Sequence, residues 1–332
     1  MVTIKDIAKL ANVSHTTVSR ALNDSPLIKP GTKKKIQAIA AQLNYIPNFN
    51  AKSLVMQKSY TIGLFFTSIS NGTSPSFFAD TVKGVNSVIS GNYNLFVRGI
   101  DDYHDFSSIH QKRFDGIILM SQSEVDNAFI YHVLNQKIPI VVINREVNDQ
   151  SIINILSNDR EGSCHAVKYL IEKGHKDIAV IEGIKGFKSS LERREGYLKA
   201  LIDEQIPICN EYIVNGNYDM ESGYKAMEKL LALENPPTAV FCSNDDMAVG
   251  AINAAFAKGL NVPKDISVIG FDDIQVARYT NPSLTTVKKP IEKISRHGAE
   301  KILEAIENQD MKGEKIFIET ELVIRKSVSE KK

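Results

Sequence analysis

The chain has 332 residues, with 40 Lys+Arg against 39 Asp+Glu, a net charge of +1 and 43% apolar content. This is a globular composition, long enough for two or three domains that bury their cores without disulfide or metal staples. The three scattered cysteines (Cys164, Cys209, Cys242) form no CxxC pair and read as reduced, mostly buried thiols of a cytosolic protein. The opening MVTIKDIAKLANVS carries charges where a secretion signal needs an apolar run, and no stretch approaches the ~18 apolar residues of a membrane span. Secretion and membrane insertion are excluded, and a cytoplasmic protein is expected.

Charge is unevenly spread. Residues 1–60 hold nine Lys/Arg and two acids (Asp6, Asp24), a balance of +7, which leaves 31 basic and 37 acidic residues, −6, for the rest. A basic head on a mildly acidic body points to a polyanionic partner, although a short solvated face can carry the same excess. In the head, Ile4, Ile7, Ala8 and Ala11 follow helical spacing, with Thr3 and Asp6 as an N-terminal capping pair. Asn12-Val13 makes a tight turn, and Ser14 caps a second helix running through Leu22. On it Val18, Ala21 and Leu22 face inward, while His15, Thr16, Ser19 and Arg20 lie on a hydrogen-bonding side. A third helix follows Pro30-Gly31, with Lys33, Lys34 and Lys35 at its start. Helix, short turn and polar-faced second helix make a helix-turn-helix, whose second helix fits the major groove.

VTIKDIAKLANVSHTTVSRALN, followed by LNYIPNFNAKSL, resembles the head of the lactose-repressor/galactose-repressor family of bacterial transcription regulators. The resemblance implies that His15 and Thr16 discriminate bases and that Arg20 is a further contact. Arg can donate two hydrogen bonds to guanine, and Thr offers a hydroxyl and a methyl for thymine. Thr3, Ser14, Thr17, Ser19 and Lys33 belong to the same DNA-facing set, Thr17 and Ser19 as phosphate or capping residues. Residues 48–59, NFNAKSLVMQKS, match the family's hinge helix, too short to be stable alone. There Leu54 corresponds to a leucine that wedges into the minor groove, and Ala51 to a small residue that allows close approach.

From Tyr60 onward, β-rich runs (Thr61–Phe66, Asn94–Val97, Gly116–Met120, Ile138–Ile143, Ile178–Glu182, Ala239–Cys242, Ile266–Gly270) alternate with amphipathic stretches (Phe78–Ile89, Gly162–Lys173, Arg193–Glu204, Ser222–Leu233, Met247–Lys258). This predicts a doubly wound α/β body with parallel sheets, two lobes and a cleft between them. TIGLFFTS, KGHKDIAVIEG, PPTAVFCSNDDMAVGA and DISVIGFDDIQVARYTNPSLTTVKKP extend the family resemblance over nearly the whole chain, and through it to periplasmic sugar-binding proteins. The expected organisation is a head at 1–47, a hinge at 48–59 and a body at 60–330. Its N-lobe spans about 60–160 plus 291–320, and its C-lobe about 161–290 plus 321–330. One departure is GIDDYHDFSSIHQKRF (99–114), short where many relatives carry a full helix.

The same resemblance implies the cleft residues. Arg193 opens the RREGY element and matches a ligand-clamping arginine. Asp245 of SNDDM matches an acid that bonds sugar hydroxyls, and Asp272 of GFDD an acid near the ligand. Tyr218 matches an aromatic that stacks on the sugar, Phe77 and Phe78 N-lobe wall positions, and Asn144 and Arg145 end a strand at the cleft. The competing readings are that Arg193 pairs an acid, Asp245 caps the following helix, and Phe77 and Phe78 are core. Arg145, Arg193, Lys185 and Lys188 would make the cleft basic. The chain is also similar to hexuronate-operon repressors, which favours a sugar acid over a neutral sugar.

No GxxxxGKS/T loop, GxSxG elbow or HExxH motif is present, and the seven histidines lack metal-ligand spacing. An enzyme, a cofactor and a metal are not expected. The expected function is a sugar-gated repressor that binds a palindromic operator as a homodimer. The alternatives are a sugar-binding protein without DNA function and a regulator answering a phosphorylated carrier protein. The family's C-terminal tetramerisation heptads have no counterpart after Arg325, which favours a dimer over a tetramer.

Overall fold

The computed structural model describes residues 2–22, 25–43, 45, 58–308 and 312–331. The chain divides into two units, Met1–Lys58 and Ser59–Lys332.

The first unit holds α1 (Ile4–Ala11), α2 (His15–Leu22) and α3 (Pro30–Gln42). Ile7, Ala8, Ala11, Val18, Ala21, Ile36 and Ala40 form its buried core, so all three helices contribute to one cluster. Asp6 accepts hydrogen bonds from the Thr3 amide (2.8 Å) and hydroxyl (2.7 Å), which fixes the start of α1. Asn12 ends the helix with φ 55°, a left-handed conformation that asparagine tolerates better than most residues. Lys35 donates to the Ala11 carbonyl at 3.1 Å, satisfying one of the carbonyls a helix end leaves open. The Ser14 hydroxyl accepts from the Thr17 amide at 3.0 Å and so caps α2.

The second unit runs β1 (Thr61–Phe66), α4 (Pro75–Ile89), β2 (Asn94–Gly99), β3 (Gly116–Met120), α5 (Asn127–Asn135), β4 (Ile140–Ile143), β5 (Ile153–Ser157), α6 (Asp159–Glu172), β6 (Ile178–Glu182), α7 (Lys188–Asp203), β7 (Ile213–Asn215), α8 (Met220–Leu231), β8 (Ala239–Cys242), α9 (Asp245–Ala257), β9 (Ser267–Asp272), β10 (Thr285–Lys288), α10 (Ile291–Glu307), β11 (Lys315–Ile318) and β12 (Glu321–Val323). These strands make two six-stranded sheets, ordered β11-β5-β4-β3-β1-β2 and β12-β10-β9-β8-β6-β7. All pairings are parallel except β10 with β12.

Each sheet carries an apolar cluster on both faces, one around Ile62 and Ile118 and another around Phe65 and Ile117 in the first, and likewise in the second. Two covered faces explain why central strands such as GIILM and IVVI are continuously apolar rather than alternating. The chain passes between the lobes three times: at β5 to α6, at β10 to α10 and at β11 to β12.

The doubly wound, two-lobed α/β body and the small helical head are as expected from the sequence. Four strand expectations (β1, β3, β6, β8) coincide with the observed bounds. The stretch 99–114 holds only a short 3-10 turn, Ile100–Asp102, and no α-helix. Among the described residues, no helix is long and apolar enough to cross a membrane.

Candidate functional site

On α2, Val18 and Ala21 are buried against the head core, while His15, Thr16 and Arg20 are exposed. Thr17 and Ser19 are half-buried between these faces, and the Thr17 hydroxyl shares a 2.8 Å hydrogen bond with Ser14. The helix therefore buries one stripe and offers an imidazole, a hydroxyl and a guanidinium on the other. Helix α3 opens with Pro30 and has no acid in its first turn, although Lys33, Lys34 and Lys35 lie near its start. Cations at the positive end of a helix dipole oppose it, and together they attract an anion. Thr3 is occupied in capping α1. Ala51 and Leu54 lie outside the described residues.

In the body, Gly186 (φ 88°) turns the chain into α7. The Lys188 amide, at the start of that helix, donates across the cleft to the Gln122 carbonyl at 2.8 Å. One helical face then places Ser189, Arg193 and Tyr197 in line, all buried. Arg193 donates from Nε to Asp159 (2.9 Å), from one Nη to the Ser243 carbonyl, and from the other to Asp272 (3.2 Å). Its guanidinium carbon lies 3.8 Å over the Phe271 ring centroid. Asp159 also accepts from Lys289 at 3.3 Å and from the Ser157 hydroxyl. Asp159 and Asp272 hold the Arg193 guanidinium firmly in its charged form against its burial, and the neighbouring cations Lys289 and Arg193 hold Asp159 below the usual carboxylate range despite its burial. Asp272 behaves oppositely: burial outweighs the attraction of Arg193 and Lys289 and pushes it up to about 6. It sits at φ 109°, a backbone strain of order 1–3 kcal/mol for a non-glycine residue.

Tyr218 completes this wall, its hydroxyl 2.9 Å from Ser189 Oγ. Gly183 makes room for that ring, since an added Cβ would lie 2.0 Å from it. Gly72, Ser74, Phe77 and Gln122 from one lobe face Ser189, Arg193, Tyr218, Asn244, Asp272 and Lys289 from the other. The space they enclose is about 30 Å³, room for about two water molecules. Gln122 also lines a second, larger chamber of about 750 Å³, where Asn144 and Arg145 face Arg160, Lys188 and Glu192. That volume falls within the usual 300–1,000 Å³ of small-molecule sites, and the first does not.

Arg193, Tyr218, Asp272 and Phe77 thus share the narrow chamber, and Asn144 and Arg145 the wide one. Two expected cleft residues are elsewhere. Asp245 is fully buried beneath the wall, with both oxygens occupied by the Thr286 hydroxyl (2.5 Å) and the Ile274 amide (2.8 Å). Burial and the neighbouring Asp272 raise it well above the ordinary carboxylate range. Its neighbour Asn244 lines the cleft instead, and Asn244 rather than Asp245 caps α9 by accepting from the Met247 amide at 2.9 Å. Phe78 packs into the core against Phe66, with centroids 5.4 Å apart. The expected basic cleft is also largely neutralised, because Arg193 meets two acids and Lys188 pairs with Glu192 at 2.6 Å. Ser74, Gln122, Ser189 and Lys289 were not anticipated; only Lys289, next to Pro290 at the end of the TTVKKP run, carried any signal in the sequence.

Residues 3–48 match the model of the bacterial regulatory proteins, lacI family, and residues 167–328 the periplasmic binding protein-like domain. The chain is 68% identical over 328 residues to the "Probable HTH-type transcriptional repressor ExuR" of Bacillus subtilis (strain 168), covering 99% of this chain and 98% of that protein. It is 37% identical over 337 residues to the HTH-type transcriptional repressor PurR of Yersinia pestis (strain Pestoides F), with 99% and 98% covered. Among solved structures it is similar to the lac repressor dimer bound to operator and the anti-inducer ONPF, with TM-score 0.81, 28% identity and 99% of both chains covered. It is also similar to the transcriptional regulator CelR–cellobiose complex, with TM-score 0.75, 26% identity, and 98% of this chain and 100% of that one covered. With the head and the body matched and relatives aligned end to end, the chain belongs to the lacI family of bacterial regulatory proteins.

Proposed function

We propose that the chain is a cytoplasmic transcriptional repressor of a carbohydrate-utilisation operon, whose affinity for a palindromic operator is set by a sugar or sugar acid held between the lobes. It is a regulator rather than an enzyme. The observation that carries this reading is the joining, in one chain, of a helix presenting exposed His15, Thr16 and Arg20 with a two-lobed body whose cleft is lined by hydroxyls, amides and an aromatic. The relatives named above support it, since they are repressors and one neighbour holds cellobiose.

The chain acts as a homodimer, because two-fold DNA symmetry calls for two heads related by the same symmetry. The moving parts are the N-lobe (about 60–160 plus 291–320) and the C-lobe (about 161–290 plus 321–330). The residues 48–59 serve as the hinge, with Leu54 as the minor-groove wedge and Ala51 allowing its close approach. A ligand that binds one lobe arrangement better than the other shifts the population, and with it the spacing of the two hinges. Footprinting of the full chain on a selected duplex tests this: protection of two symmetric half-sites, altered by sugars, is the expected result. Protection of a single half-site, or none, defeats it.

A further inference from the structure

Two consecutive residues at the end of β9, Asp272 (φ 109°) and Asp273 (φ 55°), hold left-handed backbone conformations that side chains rarely adopt. Such a turn persists only where its surroundings over-determine it. Its first residue is held from the cleft: Arg193 of α7 donates to the Asp272 carboxylate at 3.2 Å, and the Lys289 amide donates to the Asp272 carbonyl at 3.4 Å. The residue after the turn is held from below, where the Ile274 amide donates to Asp245 at 2.8 Å. The side chain of Asp273 lies between these two anchors.

That side chain is 4% exposed, and its carboxylate accepts from one Nη of Arg325. Arg278 also reaches it, but at 3.6 Å and with 61% of its own side chain exposed, a pair that contributes little. Arg325 is itself pinned. Its other Nη donates to the Leu284 carbonyl at 2.8 Å, and its amide donates to the Thr285 hydroxyl at 3.0 Å. It stands there because β12 pairs antiparallel with β10 and ends at Val323, two residues earlier. Strand β12 is the first element after the third lobe crossover. Two arginines, one on the cleft helix and one on the returning chain, thus grip adjacent aspartates of a single strained turn.

We infer that Arg325 is a positioning residue of the cleft: by holding Asp273 it fixes the turn that aims Asp272 at Arg193, and so ties the third lobe crossover to the cleft wall. This rests on the reading of the body as sugar-gated. Asp159 follows the first crossover and bonds Arg193, and Lys289 precedes the second and bonds Asp272. With Arg325, all three segments that cross between the lobes converge on one turn. Arg325 touches no part of the chamber lining, so its effect on a ligand passes through Asp272.

The test reads Asp272 directly, by carboxyl-carbon NMR across pH on the full chain, in the parent, R325Q, R325K and the double variant R325Q/D273N. The double variant leaves no buried charge without its partner, so it serves where R325Q alone does not fold; thermal melts verify each protein. Asp272 is raised to about 6 by burial, against the pull of Arg193 and Lys289. A turn that relaxes lets water reach the carboxyl and brings it down towards 3.8, whereas loss of the Arg325 charge from an unmoved turn leaves it at about 6 or above. The sign therefore separates positioning from charge. Calorimetric titration with galacturonate, glucuronate, galactose and glucose supplies the second readout. The inference expects R325Q and the double variant to lower the Asp272 midpoint and to weaken the sugar that binds the parent by about tenfold, with R325K recovering part of both. An Asp272 midpoint that stays at about 6 in the folded variants overturns the assignment of Arg325, whatever the sugars do. A lowered midpoint with unchanged sugar affinity overturns the link from the turn to the cleft. If none of the sugars binds the parent, the sugar-gated reading fails, while the Asp272 midpoint still decides whether Arg325 places that residue.

Discussion

Arg193 and Asp159 meet at 2.9 Å, joining the helix that lines the cleft to the first residue after a lobe crossover. Lys289, which bonds the same carboxylate at 3.3 Å, precedes the second crossover. The charge network of the cleft wall is therefore also the network of the lobe hinge. A ligand that disturbs Arg193 therefore touches the network at two of the three segments that cross between the lobes.

Asp159→Asn should destabilise the body by about 3–5 kcal/mol, because Arg193 and Lys289 would remain buried with only Asp272 as counter-ion. Urea unfolding should show a lower midpoint with an unchanged slope. A midpoint within error of the parent would mean that the network is not a stability element.

Asp272 makes a pH prediction. Its folded pKa is raised to about 6, above the 3.8 of an ordinary aspartate, so the folded state holds the proton more tightly than the unfolded chain. Its contribution to stability is thus full at low pH and declines as pH rises from about 4 to about 6. The stability difference between the parent and Asp272→Asn should fall over that window. A difference that rises with pH would reverse the assigned sign. Asp245, raised in the same direction, should give the same trend.

Gly72 sits at φ 77°, and an added Cβ would lie 2.4 Å from Ile184 and 2.8 Å from Phe187 of the opposite lobe. Gly72→Ala should therefore hold the lobes apart. The Lys188 amide, which donates across the cleft to Gln122, should then exchange its hydrogen faster than in the parent. Unchanged exchange there would show that the lobes close without this contact.

In the head, His15→Ala or Thr16→Ala should alter base preference at particular half-site positions, because both residues are exposed on α2. Lys33→Ala should weaken all sequences alike and reduce the salt slope of binding by about 1. Selection from a randomised half-site, repeated at several salt concentrations, separates the two effects. The opposite pattern would misplace the reading face.

The head was legible because its motif is contiguous: VS..TVSR places capping, core and exposed polar residues within one turn and one helix. Most inner strands were legible because a sheet covered on both faces needs an unbroken apolar run, and so was the edge strand β2 over Asn94–Val97. The inner strand β5, interrupted by Asn154, and the strands β7, β10, β11 and β12 were not. KIFI alternates in burial, ELV and IVN are three residues long, and TTVK, although β-branched, is a four-residue run with only one apolar side chain. The helix α10 was overlooked although Ile291, Ile294, Ala299 and Ile302 mark its buried face.

The cleft was legible by motif but not by geometry. SNDD gives four consecutive polar residues, and only folding decides that Asn244 lines the wall while Asp245 turns under it to meet Thr286, a residue forty-one positions away. Likewise nothing local to the two arginines reveals that Arg145 donates to the neutral Ser121 and Asn127 while Arg193 meets two acids. Such pairings are made across the fold, and sequence spacing does not encode them.

On the reading proposed above, a ligand in the interlobe cleft sets operator affinity through the Arg193 network. Fluorescence anisotropy of a selected palindromic duplex, titrated with the full chain with and without a saturating sugar or sugar acid that calorimetry shows to bind, decides this when repeated on Arg193→Ala. A shift of roughly 5–150-fold is expected in the parent, the usual span of allosteric coupling, and none in the variant. An equal shift in both proteins, or no shift in the parent with any sugar that calorimetry shows to bind, would contradict it.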